Sequence, residues 1–478
     1  MPASPYLTRL IDISGWIQIP CFFLLLLFLA FGHVARWDVL DHVAMADRYS
    51  AGGRLYPDAL ADHPGEVSVY FPGVSVVAYT LSKIIPSGFL VTALLSLAAA
   101  VTFVVIRMQR EIAKSIDSTY QGETFWPIAI IVSLFLLKPW LFYAVEFKPD
   151  SIAYLFGGSC VLQNLKRARS GRHQYFWSLA YGLLAGLALL FKQQYIAFVF
   201  GCAIFAVQSR SSASIAFALG SIASSSLVIF LLKQNSDAWF WTVTVLSDDG
   251  FLSTRDWARD HRSLAINTAM SIFAFWIACR LKIVEGVGDS IARIALSRRS
   301  RPWVFVVLFG FLSAFLSSWK VGGNAGNTAY GMMLMLPFVA LVLRHLNPRL
   351  LILLAWLIIG MEIPYVRNSA RHYAQAQDLG QQVQSLQNVE AATVLTGSDV
   401  YFATRLRFLP DKITNYWSIA LRNNDGVDKG LADAIQDNVF NYLVLENNAA
   451  VKTVLKSKPG YRIVYENPLG LVAVLLRE

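Results

Sequence analysis

Apolar runs of membrane-spanning length recur along most of the chain, separated by short polar segments rich in Lys and Arg. The first runs from Ile13 to Phe31, with only Arg9 and Asp12 as charges just before it. It is too long for the apolar stretch of a secretory leader, so it reads as an uncleaved first helix. Further runs lie at Gly88–Ile106, Thr124–Leu141, Ser151–Leu165, Tyr175–Phe191, Tyr195–Val207 and Ala213–Leu232. After a polar loop come Leu264–Cys279, Trp303–Ser318, Ala329–Leu343 and Leu350–Ile363. At roughly 20 residues per crossing, and fewer where neighbouring helices cover the ends, these predict about eleven spans. The run VYFPGVSVVAYTLSKIIP is apolar too, but Pro72 and Gly73 break it, and it reads as interfacial or re-entrant.

The pattern changes at about Tyr365. A polar stretch with helical spacing, NSARHYAQAQDLGQQVQSLQN, leads to four runs of strand length in ATVLTGSD, NYLVLEN, YRIVYEN and LGLVAVLLRE. Helical or loop segments separate the first three, which predicts a small α/β domain. The expected architecture is an all-α polytopic membrane bundle over residues 1–363, followed by this α/β domain over 364–478.

Composition sharpens the class. Of 478 residues, 55% are hydrophobic and only 15% charged, and mean hydropathy is +0.48. An ordinary soluble domain carries roughly 25% charged residues, so this chain cannot clothe soluble domains, and a nucleic-acid-binding role is excluded with them. The net charge of +10 is concentrated in segments such as RMQREIAK, KRARSGR and Arg280–Arg301, all read as loops on one side. That density bias places the N-terminus inside and the C-terminal domain outside. The inner segment KIVEGVGDSIARIALSRR reads as an amphipathic surface helix. Cys21, Cys160, Cys202 and Cys279 all lie in apolar runs without metal spacing, so they read as core residues.

Two outer segments are too polar to be simple turns. One is the first external loop, residues 33–87; the other, Lys233 to Arg262, contains Trp239, Trp241 and Trp257, which suit either an aromatic belt at the membrane surface or sugar stacking. Charges at span ends gather on this same side: Asp38 and Asp41, Glu146, Lys148 and Asp150, Lys192 and Lys320. Charges at membrane depth are expensive, so a one-sided crowd of them points to a site. Lysines there suit a phosphate whose lipid tail lies between helices, and carboxylates suit a general base or hydrogen bonds to hydroxyls. Asp38 and Asp41 share a helix face if helical, and their repulsion would raise one pKa.

The stretch from Asp38 to Tyr56, DVLDHVAMADRYSAGGRLY, resembles the first external loop of the GT-C glycosyltransferases. In that superfamily an acidic residue follows the first helix, an alanine comes some two helical turns later, and a Gly-x-x-Tyr lies beyond. Asp38, Ala46 and Gly53–Tyr56 occupy those places, with Val39 where a Glu is frequent. VYFPG resembles the Tyr-x-Pro-Pro segment with Gly73 for the second proline, and FKPDS, with Asp150, the second acidic loop. GLLAGLALLFKQQ, ending in Lys192 and Gln193, and SWKVGGNAGN, with Lys320 and Asn324, resemble two later motifs.

The resemblance implies an integral-membrane, inverting glycosyltransferase with a polyprenyl-phosphate-linked sugar donor, working at the outer face of a bacterial cytoplasmic membrane in cell-envelope polysaccharide or glycolipid biosynthesis. Asp38, Asp41 and Asp150 are the catalytic candidates; Lys148, Lys192, Gln193, Lys320, Asn324, Tyr56 and Glu146 are the substrate-binding ones. The acceptor would be a glycan, glycolipid or protein. No cofactor is expected, and a metal ion is not favoured, since His42 and His63 lack metal spacing and no Walker A or dinucleotide fingerprint occurs. A flippase of lipid-linked glycans is the alternative class, against which stands the lack of a paired half-chain repeat.

Overall fold

The computed structural model describes residues 5–32, 37–58, 71–136, 149–167, 174–192, 212–244, 334–386, 393–396, 413–415, 440–457 and 460–476, with scattered positions at 141, 145, 253–319 and 432–438. Within them lie helices α1 (Pro5–Gly32), α2 (Trp37–Ser50), α3 (Gly73–Ser82), α4 (Ser87–Ile116) and α5 (Phe125–Ile131), the last continuing as a π-helical turn, Val132–Leu136. There follow α6 (Pro149–Arg167), α7 (Gln174–Gly186), α8 (Ser212–Gln234), the short α9 (Ser236–Trp239), α10 (Leu336–Val342), α11 (Pro348–Met361) and α12 (Ile363–Ser385).

Among the described residues, four helical stretches are long and apolar enough to cross a membrane: Arg9–Phe31, Phe89–Ile116, Ser212–Gln234 and Pro348–Val383. The expected spans at Tyr195–Val207 and Leu264–Cys279 lie outside the described residues, as does the expected amphipathic surface helix. The broken run after Pro72 is a ten-residue helix, α3. At 1.5 Å per residue it covers about 15 Å, half of a hydrocarbon core, and it lies against α2 rather than crossing.

One expectation needs correction. RMQREIAK is not a loop; it forms the last turns of α4, which runs on to Ile116. Met, Gln, Arg, Glu, Ala and Lys are all strong helix formers, so nothing stops the helix until Asp117. Asp117 ends it in extended conformation and meets Arg344 at 2.5 Å.

Two contacts define the packing directions. Along α1 and α11, Asp12 pairs with Arg349 at 3.2 Å, and the buried Gln18 donates to the Ile352 carbonyl at 2.5 Å. Both sequences advance together, so the helices are parallel, and α12 carries the line onward beside α1. Helices α7 and α8 are also parallel and nearly touch backbone to backbone. A Cβ at Gly182 would sit 2.1 Å from the Phe217 carbonyl oxygen, and Ser221 donates its hydroxyl to the Gly182 carbonyl at 3.1 Å. Small residues at the seam gain packing and hydrogen bonds where burying apolar surface gains little against lipid.

The C-terminal segment forms a five-stranded mixed sheet of order β2-β1-β3-β5-β4, from β1 (Val394–Thr396), β2 (Ile413–Asn415), β3 (Tyr442–Glu446), β4 (Tyr461–Glu466) and β5 (Gly470–Leu475). β2, β1 and β3 are parallel, while β5 is antiparallel to β3 and β4. Alternation sorts its two faces. Val394, Val444 and Val472 join the core that contains Leu379 and Val383 of α12. Leu395, Leu443, Leu445, Leu471 and Ala473 form a second core with Val451 and Leu455 of α13 (Ala449–Lys456), whose first turn is capped by Asn448. Asn467 donates to the Gln375 carbonyl at 2.9 Å, and the Tyr465 hydroxyl donates to Asp378, tying the sheet to α12.

Candidate functional site

The end of the bundle where α1 finishes also carries α2, α3, the turn at 51–58 and the start of α4. Helix α2 places Asp38 and Asp41 in its first turns, three residues apart and therefore on one side of the helix. Its buried side packs on α3: His42 Nδ1 lies 2.9 Å from Ser75 Oγ, Ser75 reaches Met45 S at 3.5 Å, and the Tyr49 and Tyr79 rings meet edge to face at 4.7 Å.

α3 in turn lies on the C-terminal end of α7, which tightens into a 3-10 turn over Leu187–Leu190. The contact is made at Gly73. A Cβ there would fall 2.7 Å from the Leu190 carbonyl oxygen and 2.9 Å from Phe191 Cδ1. Lys192 follows at once, 4% exposed. The broken run of the first loop and the lysine-bearing helix end, more than a hundred residues apart, are thus one contact. Asp150 lies in the first turn of α6, at the end of that helix facing away from the α6–α7 connection and so toward the same end of the bundle as Leu190.

The first loop and the segment from Lys233 also clamp each other. Arg54 pairs with Asp237 at 3.0 Å, and Trp241 donates its indole N–H to the Pro57 carbonyl at 3.1 Å. Trp241 is fully buried, so it belongs neither to an interfacial belt nor to a sugar platform; it is a core peg that holds the turn bearing Tyr56. Burial pushes the Tyr56 phenol far above its ordinary pKa, which keeps it a neutral hydrogen-bonding group. Trp257 differs: it stacks on Trp319 at 5.0 Å, tilted by 16°, and donates to Ser318 at 3.0 Å. That brings the segment from Lys233 to Arg262 against Trp319, the residue preceding Lys320.

No family model and no curated protein matches the chain. Among solved structures it is similar to ArnT from Cupriavidus metallidurans in the apo state, at 13% identity and a TM-score of 0.58, over 96% of this chain and 98% of that one. ArnT from the same organism bound to undecaprenyl phosphate matches over the same shares, at 13% identity and a TM-score of 0.50. The apo oligosaccharyltransferase of Archaeoglobus fulgidus matches at 12% identity and a TM-score of 0.51, over 88% of this chain and 69% of that one. The chain has the GT-C fold.

Within this GT-C fold, the described candidates fall at one end of the bundle: Asp38 and Asp41 on α2, Tyr56 in the clamped turn, Asp150 on α6 and Lys192 after α7. Glu146, Lys148, Gln193, Lys320 and Asn324 lie outside the described residues. Sequence reasoning gave no positioning role to His42, Ser75 or Trp241, which hold α2 on α3 and the turn at 51–58 in place. Only the two breakers Pro72 and Gly73 signalled that the loop folds back on itself. Glycines 182 and 186 of the lysine-bearing motif have a packing reason independent of chemistry, since both lie against α8.

Proposed function

We propose that this chain is a membrane glycosyltransferase that moves a sugar from a polyprenyl-phosphate-linked donor to an acceptor hydroxyl, at the outer face of a bacterial cytoplasmic membrane. The observation that carries the reading is the Gly73–Leu190 contact, which joins the first loop with Asp38 and Asp41 to the helix end with Lys192. The fold similarity to enzymes whose structures hold undecaprenyl phosphate or dolichol phosphate supports it.

In this reading the donor phosphate lies near Lys192, joined by Lys148 and Lys320, while its lipid tail leaves between helices. A buried ammonium attracts a phosphate far more strongly than one in water. Asp38 accepts the acceptor's hydroxyl proton, and the freed oxygen attacks the anomeric carbon from the side opposite the phosphate. The anomeric carbon–oxygen bond breaks with its electron pair going to the phosphate, whose added charge the lysines stabilise. Configuration inverts. Asp41 tunes its neighbour by like-charge repulsion, and Asp150, Glu146, Tyr56, Gln193 and Asn324 bind donor or acceptor polar groups. The proposal needs no cofactor.

The test uses membranes overproducing the wild type, Asp38→Asn or Asp41→Asn, with lipid-linked sugars followed by mass spectrometry. Asp38→Asn should slow donor consumption about 10²–10⁴-fold, the usual loss for a general base, without lowering protein yield. If Asp38→Asn consumes donor at the wild-type rate, Asp38 is not the base; if Asp41→Asn alone is inactive, that role belongs to Asp41.

A further inference from the structure

The opposite end of the bundle holds a cavity of about 560 Å³ between α1, α4, α5 and α11. Its walls combine Arg110, Arg349, Asp12 and Glu123 with Trp16 and Trp126. We propose that it is a binding site for a zwitterionic aminophospholipid headgroup, whose phosphodiester is held by Arg110 and whose ammonium is held by the carboxylate of Glu123.

Arg110 carries the argument. It lines the cavity with its Nε covered at the Gly122 turn, so a ligand would meet the guanidinium through its remaining N–H groups. The space for its guanidinium is built in. Gly122 has φ +81°, and a Cβ there would sit 2.6 Å from Arg110 Nε. Only glycine both adopts that backbone easily and leaves the guanidinium its place. An arginine fork matches a phosphodiester better than a point charge does.

Charge balance selects the headgroup. The lining holds two cations and two carboxylates, and Asp12 is already engaged by Arg349 through both carboxylate oxygens at 3.2 Å. A net anionic headgroup would meet Glu123 as a repulsive neighbour, whereas an aminoethyl phosphate matches each charge with its opposite. A trimethylated ammonium has no N–H to donate to that carboxylate, so choline headgroups fit less well. The volume is within the range of small-ligand sites. Trp16 is 75% exposed on α1, placed where amphipathic rings sit at the headgroup level of a bilayer, and Ile19 and Ile352 receive the start of the acyl chains.

The test is native mass spectrometry of the full-length protein in detergent, titrated with dioleoyl phosphatidylethanolamine, phosphatidylcholine, phosphatidylglycerol or inorganic phosphate. One equivalent of the ethanolamine lipid should bind in preference to the other three probes. Arg110→Gln should weaken it about 10- to 100-fold, the loss of one charge-assisted contact. Arg107→Gln removes the same charge from an exposed turn of α4 and should leave binding unchanged. Glu123→Gln, on an exposed turn that tolerates substitution, should erase the preference over phosphatidylglycerol. Equal binding of phosphatidylglycerol, phosphatidylcholine or free phosphate by the wild type would overturn the assignment. So would Arg110→Gln or Glu123→Gln behaving as wild type.

Discussion

Replacing Gly73 with alanine adds one methyl group at the contact that joins the first loop to the lysine-bearing helix end. The new Cβ would lie 2.7 Å from the Leu190 carbonyl oxygen, where ordinary contact begins at 3.4 Å, and 3.0 Å from the Leu190 carbonyl carbon. Backbone rather than a flexible side-chain tip opposes it, so α3 must retreat by about 0.7 Å. Overpacking of this kind costs about 1–3 kcal/mol. Because α3 is locked to α2 through His42–Ser75 and Tyr49–Tyr79, the retreat carries Asp38 and Asp41 away from Lys192. A displacement approaching 1 Å at a reacting centre can cost about a hundredfold in rate. The expected result is a donor-consumption rate at least tenfold below wild type, with only a modest fall in detergent melting temperature. Gly360→Ala is the control. Nothing lies within 4 Å of its added methyl, and helix propensity favours alanine by about 1 kcal/mol, so rate should hold and stability should not fall. Wild-type turnover by Gly73→Ala would refute the claim that this contact sets the site's geometry.

Gly182→Ala places its Cβ 2.1 Å from the Phe217 carbonyl oxygen, so α7 and α8 must part and the Ser221–Gly182 hydrogen bond must lengthen; melting in detergent should drop by several degrees, consistent with about 1–3 kcal/mol of overpacking. At Asp117 burial alone raises the pKa, but hydrogen bonds from Thr119 and Arg344, with the arginine's charge, outweigh it and hold the carboxyl below its ordinary value. A lowered folded pKa gives stability that is complete above the unfolded value of about 3.9 and is lost as pH falls through the folded one. Asp117→Asn should therefore lower the melting temperature at pH 7, and the difference from wild type should shrink below about pH 4.

Much of this fold is written in local pattern. The α1, α4, α6, α7, α8 and α11 runs, the polar helix α12 and four strands all follow from apolar length, alternation and composition. The fifth strand, β2, escapes because Ile-Thr-Asn is three residues long and owes its pairing to β1 alone. The end of α4 is misread because charge density suggested a loop, while helix propensity and the Asp117–Arg344 pair extend the helix. The site is legible only as an ordered set of short motifs. Its assembly rests on Gly73 against Leu190, Arg54 with Asp237 and Trp241 with Pro57. Contacts over such sequence distances leave no periodicity to read.

The proposed activity requires the end of the bundle with Asp38 and Lys192 to receive a polyprenyl-phosphate-linked sugar. Mass spectrometry of lipids retained by the protein after gentle detergent extraction tests it most directly, comparing the wild type with Lys192→Met. Polyprenyl phosphate, bare or carrying a sugar, is expected at close to one equivalent in the wild type and about tenfold or more depleted in the variant, which has lost a charged phosphate donor. Retention of bulk phospholipids alone by the wild type, or equal polyprenyl phosphate in both proteins, would contradict it.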